Sequence, residues 1–128
     1  QSDEQRKRRA EKRYCRALES GGGIYVSGTL NINGGNICGN QQTLDGGGVN
    51  NHGVLTMTGG KISGNYAGRC AGGVINAQNS NMTMTGGEIT ENATKGSQWG
   101  GIDVYAPLTI GGTAVVKNNI ANANSATA

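Results

Sequence analysis

The side chains in this chain able to do acid–base, nucleophilic or metal chemistry are few and scattered. Beyond residue 20 the only carboxylates are Asp45, Glu88, Glu91 and Asp103, and the single histidine is His52. Cleaving a glycosidic bond by acid–base chemistry needs two carboxyl groups held at one site. Glu88 and Glu91 flank Ile89, whereas Asp103 and Asp45 belong to other segments, so this set predicts no such pair. Zinc needs several His or Cys ligands converging on one point, and His52 has no second histidine and no cysteine near it in sequence. The expectation is a non-enzymatic protein with no catalytic residue, no metal site and no cofactor.

Hydroxyl groups are more orderly. Thr56 and Thr58 form a Thr-x-Thr step that is repeated at Thr83 and Thr85, with Thr109 continuing it on one side and Asn31 and Asn33 on the other. On a flat sheet this set makes a regular array of hydroxyls and methyls, the candidate surface-binding face for ice or another crystal lattice. Thr is also simply a favourable residue on a solvated strand face. Trp99, Tyr105 and Pro107 lie around a lengthened segment and offer a second, carbohydrate-stacking candidate.

These groups are carried by a repeat. Gly22-Gly23-Ile24 recurs as Gly47-Gly48-Val49, Gly72-Gly73-Val74 and Gly100-Gly101-Ile102. A second doublet ends each of the runs Leu30 to Gly35, Leu55 to Gly60, Met82 to Gly87 and Leu108 to Gly112. An Ile-x-x-Asn element follows, at Ile37 to Asn40, Ile62 to Asn65 and Ile89 to Asn92, with a looser fourth copy ending at Asn118. Three elements in fixed order, four times over, is a repeat architecture. Each element is short and alternates with period two, so each predicts a half-buried strand. Leu30, Ile32, Leu55, Met57, Met82, Met84, Leu108 and Ile110 then point inward and the threonines outward. Glycine at the corners meets positive φ or close backbone approach. Asn40, Asn65, Asn92 and Asn118 predict a structural ladder, because an amide both donates and accepts and identical neighbours can bond each other. The fold class predicted is all-β: a right-handed parallel β-helix, or solenoid, of about four three-strand coils over residues 21–118.

The GGGI/GGGV and I-x-x-N spacings resemble the GGA[ILV] and F-x-x-N repeats of polymorphic outer-membrane proteins. They also resemble the Gly/Thr-rich parallel β-helix repeats of bacterial surface proteins and adhesins. Ile stands here for Phe, and Gly for Ala. The resemblance implies an extracellular or cell-surface location and an adhesive or structural role, but no particular ligand.

The ends differ from the repeat. Residues 1–20 hold Arg6, Lys7, Arg8, Arg9, Lys12, Arg13 and Arg16 against Asp3, Glu4, Glu11 and Glu19, which accounts for the whole net charge of +3. Ser2 as cap and Gly21 as stop predict a helix, and Ala10, Tyr14, Ala17 and Leu18 give it an apolar stripe that can cover the first coil. Three cysteines allow one internal disulfide, and Cys15 with Cys38 is the candidate pair if that helix lies over coil one. The remaining residues balance their charges, so no nucleic-acid partner is expected, and no apolar run reaches membrane-spanning length. Residues 119–128 read as a polar tail or the start of a further coil, with nothing to cover the last coil's edge. The first functional expectation is therefore an adhesive or structural module whose partner is a surface, a glycan, or itself by head-to-tail stacking into filaments. Ice or crystal-surface binding through the threonine array, and a carbohydrate-binding or glycan-active β-helix, are the alternatives.

Overall fold

A computed structural model describes residues 23–42, 46–96 and 100–123. The described chain is all-β, with no helix. Its first turn carries β1 (Ile24–Val26), β2 (Thr29–Ile32), β3 (Asn36–Cys38) and β4 (Gln41–Gln42). The second carries β5 (Val49–Asn51), β6 (Val54–Met57), β7 (Lys61–Ser63) and β8 (Tyr66–Ala67). The third carries β9 (Val74–Asn76), β10 (Asn81–Met84), β11 (Glu88–Thr90) and β12 (Ala93–Thr94). β13 (Ile102–Val104), β14 (Leu108–Ile110) and β15 (Val115–Lys117) begin the fourth rung. Every pairing is parallel, and each strand pairs with its counterparts one turn away, in the orders β1-β5-β9-β13, β2-β6-β10-β14, β3-β7-β11-β15 and β4-β8-β12. The fold is a parallel β-solenoid of about three turns.

Register keeps like over like. Leu30, Leu55, Met82 and Leu108 are cross-strand partners, as are Ile32, Met57, Met84 and Ile110. Ile37, Ile62, Ile89 and Val116 make a third inward column. Leu55, Met57, Ile62, Met82, Met84 and Ile89 are wholly buried and form one continuous core with Val49 and Val74. Burying a side chain of that kind contributes about 1.5–3 kcal/mol, so a thin core without Phe still sustains the stack.

Two corner columns show why glycine recurs. Gly35, Gly60, Gly87 and Gly112 all have positive φ, between 59° and 83°. The turn after the third strand has the same requirement, met by Gly39 and Gly64 in the first two rungs, but by Glu91 (φ 57°) and Asn118 (φ 57°) in the last two.

One expectation needs correction. Each of the first three turns has four strands, not three. The fourth, at β4, β8 and β12, is only two residues long and has no shared composition (Gln-Gln, Tyr-Ala, Ala-Thr), which is too short for alternation to register. The coil also runs past residue 118: Ile120 bridges Ala93, and the N–H groups of Asn122 and Ala123 donate to Gly96 and Thr94. Residues 119–123 thus continue the coil. The expected helix over the first twenty residues lies outside the described residues.

Candidate functional site

The Asn ladder follows from its position beside a glycine. Asn40 donates from both its backbone N–H and Nδ2 to Asn65 Oδ1, at 3.1 and 3.0 Å. Asn65 does the same to Asn92 Oδ1, at 3.0 and 2.9 Å. Asn92 does so to Asn119 Oδ1, at 3.0 Å each. The second Nδ2 proton of Asn65, Asn92 and Asn119 goes back to the carbonyl of Ile37, Ile62 and Ile89. Every donor and acceptor of the two interior amides is satisfied. A Cβ placed on Gly48 would lie 2.9 Å from Asn65 Nδ2, and one on Gly73 would lie 3.0 Å from Asn92 Nδ2. The glycine doublet and the Ile-x-x-Asn element, far apart in sequence, are therefore one structural unit.

The fourth rung of this ladder is Asn119, not Asn118. Thr90 pairs with Lys117, so Asn118 takes the positive-φ turn place of Glu91, where it is exposed. Strict Ile-x-x-Asn spacing counted from Val116 already points to Asn119. A second amide pair was legible only as Asn51 and Asn76 sharing a strand position. Both are wholly buried: Asn51 Nδ2 donates to Asn76 Oδ1 at 2.9 Å, and Asn76 Nδ2 donates to the carbonyls of Ala106 and Pro107.

The five threonines are brought onto one sheet face. Asn31, Thr56, Thr83 and Thr109 are partners across β2, β6, β10 and β14. Thr58 and Thr85 follow the last strand residues beside them, and Thr58 Oγ1 donates to Asn33 Oδ1 at 2.7 Å. Thr58, Thr85 and Thr109 are exposed, while Thr56 and Thr83 are half-buried. Rungs repeat at about 4.8 Å, which sets the axial spacing of the hydroxyls.

The carboxylates stay apart. Glu88 pairs with Lys61 at 3.3 Å on the outer face of β7 and β11, Glu91 sits exposed at a corner, and Asp103 is buried in β13. Asp45 lies outside the described residues. Among the described residues no three His, Cys, Asp or Glu side chains group as metal ligands. His52 stacks on Tyr25 with centroids 4.8 Å apart and planes 22° from parallel. Sequence gave no hint of that contact, because the two rings meet only when one turn is laid on the next. Tyr105 is exposed, as is Pro107, and Trp99 lies outside the described residues. Cys38 is disulfide-bonded and Cys70 carries a thiol; Cys15 lies outside the described residues.

The ends of the stack are unlike. In rung one Val26, Ile32 and Ile37 are buried, at 4, 5 and 7% exposure, while Ile24 and Leu30 are half-buried. In rung four Val104, Ile110 and Val116 are open, at 46, 48 and 41%, with Ile120 beside them at 42%, while Ile102 and Leu108 are half-buried. Among the described residues β13, β14 and β15 have no partner on their outer edge.

The architecture defines the class, a parallel β-solenoid repeat protein. No protein-family model, no curated protein and no solved structure matches the chain.

Proposed function

We propose that this chain is a non-enzymatic β-solenoid module of a secreted or cell-surface protein, adhesive or structural in role, which engages a further β-layer through its fourth rung. The observation that carries the reading is the open rung: four aliphatic side chains, each two-fifths exposed or more, over three strand edges that have no partner among the described residues. Apolar surface beside unsatisfied backbone groups recruits strands. The occupant is either further coils of the same chain or one end of a second copy. Head-to-tail contact would set the first rung of a second copy on this edge and can grow a filament. Self-association through rung four alone is like-to-like and closes as a two-fold pair. The surface-protein setting rests on the resemblance of the repeat motifs. Light scattering on the 128-residue chain over a concentration series tests the contact, with Ile110→Lys as control. A dimer that Ile110→Lys reduces to monomer supports it. Monomer at all concentrations, or a dimer insensitive to Ile110→Lys, removes it.

A second reading is favoured by the in-register threonine face: adsorption to ice or another crystalline surface. Thermal hysteresis that is lost in Thr83→Tyr supports this reading, and its absence in the unmodified protein ends it.

A further inference from the structure

Asn33-Gly34 is the only Asn-Gly pair in the sequence, and three features of its surroundings suit it to self-modification. Asn33 follows β2 on the threonine face, and both it and Gly34 are exposed. In rungs two and three the place of Asn33 is taken by Thr58 and Thr85, whose side chains hold no carboxamide. There the glycine after them donates its N–H to the rung before: Gly59 to Ile32 O at 3.3 Å, and Gly86 to Met57 O at 3.4 Å. Rung one has no such rung beneath it among the described residues, and no described residue accepts from Gly34 N–H. The amide nitrogen that would attack Asn33 Cγ thus donates to no described residue. Gly34 has no Cβ to hinder the approach, and open space surrounds the position a Cβ would take. Finally, Thr58 Oγ1 donates to Asn33 Oδ1 at 2.7 Å. That oxygen takes up negative charge when the carboxamide carbon becomes tetrahedral, and a donor already aimed at it lowers the barrier.

We propose that Asn33-Gly34 is a built-in deamidation site, with Gly34 N as nucleophile and the Thr58 hydroxyl as oxyanion donor. The Gly34 nitrogen bonds to Asn33 Cγ and gives up its proton. The Cγ–Nδ2 bond breaks and that nitrogen leaves as ammonia, closing a five-membered succinimide. Water then opens the ring at either carbonyl, leaving aspartate or isoaspartate at position 33. Either product adds a carboxylate at the base of the threonine columns and lowers the net charge of +3 by one. The isoaspartate form also inserts a methylene into the backbone just before Gly34, the neighbour of Gly35, whose carbonyl receives Lys61 N–H at 2.9 Å. It therefore loosens the corner that joins rung one to rung two.

The test is a time course of peptide-mapping mass spectrometry on the full chain in mildly alkaline buffer, folded and urea-unfolded. Position 33 is expected to convert ahead of every other asparagine, and at least as fast folded as unfolded. Thr58→Val should slow the folded rate by roughly tenfold, the kinetic equivalent of one ordinary hydrogen bond, and leave the unfolded rate unchanged. Gly34→Ala, which meets no steric obstacle in the fold, should slow both. Protection of position 33 in the folded chain, or a folded rate unmoved by Thr58→Val, overturns the proposal.

Discussion

Replacing Asn65 by alanine removes the central rung of the amide ladder, and its cost can be worked from the hydrogen bonds. The Asn65 Oδ1 atom is the acceptor for both the backbone N–H and Nδ2 of Asn40, and its Nδ2 supplies the carbonyl of Ile37 and Asn92 Oδ1. Asn92 Oδ1 keeps the backbone N–H of Asn65. Four groups therefore lose a hydrogen bond, and three of them have none of the ladder's bonds to replace it, in a region where Asn40 is buried and Asn65 is wholly buried. A buried polar group left unpaired costs about 1–3 kcal/mol. Some water entry will soften this at rung one, so the expected loss is about 3–6 kcal/mol, a large part of the roughly 5–15 kcal/mol that holds a domain together. Urea unfolding followed by circular dichroism measures it as a fall in midpoint at constant slope. Asn33→Ala is the control: Asn33 is exposed and receives one side-chain bond, so its loss stays within about 0.5 kcal/mol. A loss below about 1 kcal/mol for Asn65→Ala would refute the view that the ladder is a satisfied, interdependent network.

Other substitutions probe the corners and the cysteines. Glu91→Gly relieves an L-residue held at φ 57°, where the first two rungs use Gly39 and Gly64. The left-handed region costs an L-residue about 1–2 kcal/mol, partly offset by glycine's unfolded-state entropy. Calorimetry should therefore show a gain of about 0.5–1 kcal/mol and a higher Tm; a lower Tm contradicts the account. Gly48→Ala places a Cβ 2.7 Å from Gly73 O and 2.8 Å from Ile62 Cγ2, so it should cost about 1–3 kcal/mol or more. Gly28→Ala, with no atom within 4 Å of its Cβ, should stay near neutral, and equal effects of the two would rule out the steric argument. The unreduced native protein should titrate a single thiol, Cys70, and reduction should release more. Three thiols without reductant would exclude the disulfide at Cys38.

Much of this architecture is written into the chain because its periodic signals are redundant. Leu30, Leu55, Met82 and Leu108 recur with alternating polar neighbours, so their inward column was legible without any structure. Asn40, Asn65 and Asn92 were legible for a similar reason: an amide at a fixed distance after an inward Ile has a repeated job. Where a signal is one residue long, reading is weaker. Asn118 and Asn119 are adjacent, and only the register Ile89 to Val116 decides between them. The two-residue fourth strand carries no alternation, and the contact of Tyr25 with His52 exists only across the stacking direction, which sequence proximity does not encode. The threonine face was legible as a face, yet its chemistry is that of any solvated strand, so the repeat specifies the scaffold far more tightly than the ligand.

The central claim is that equivalent residues of successive repeats lie side by side in parallel register. Interstrand NMR contacts test it most directly, at Val49 with Val74, Thr56 with Thr83, and Met57 with Met84. The account predicts amide–amide and amide–α-proton cross-peaks linking these positions 25 to 27 residues apart, as in a parallel ladder. Close α-proton pairs between sequential strands, the mark of antiparallel hairpins, would contradict it.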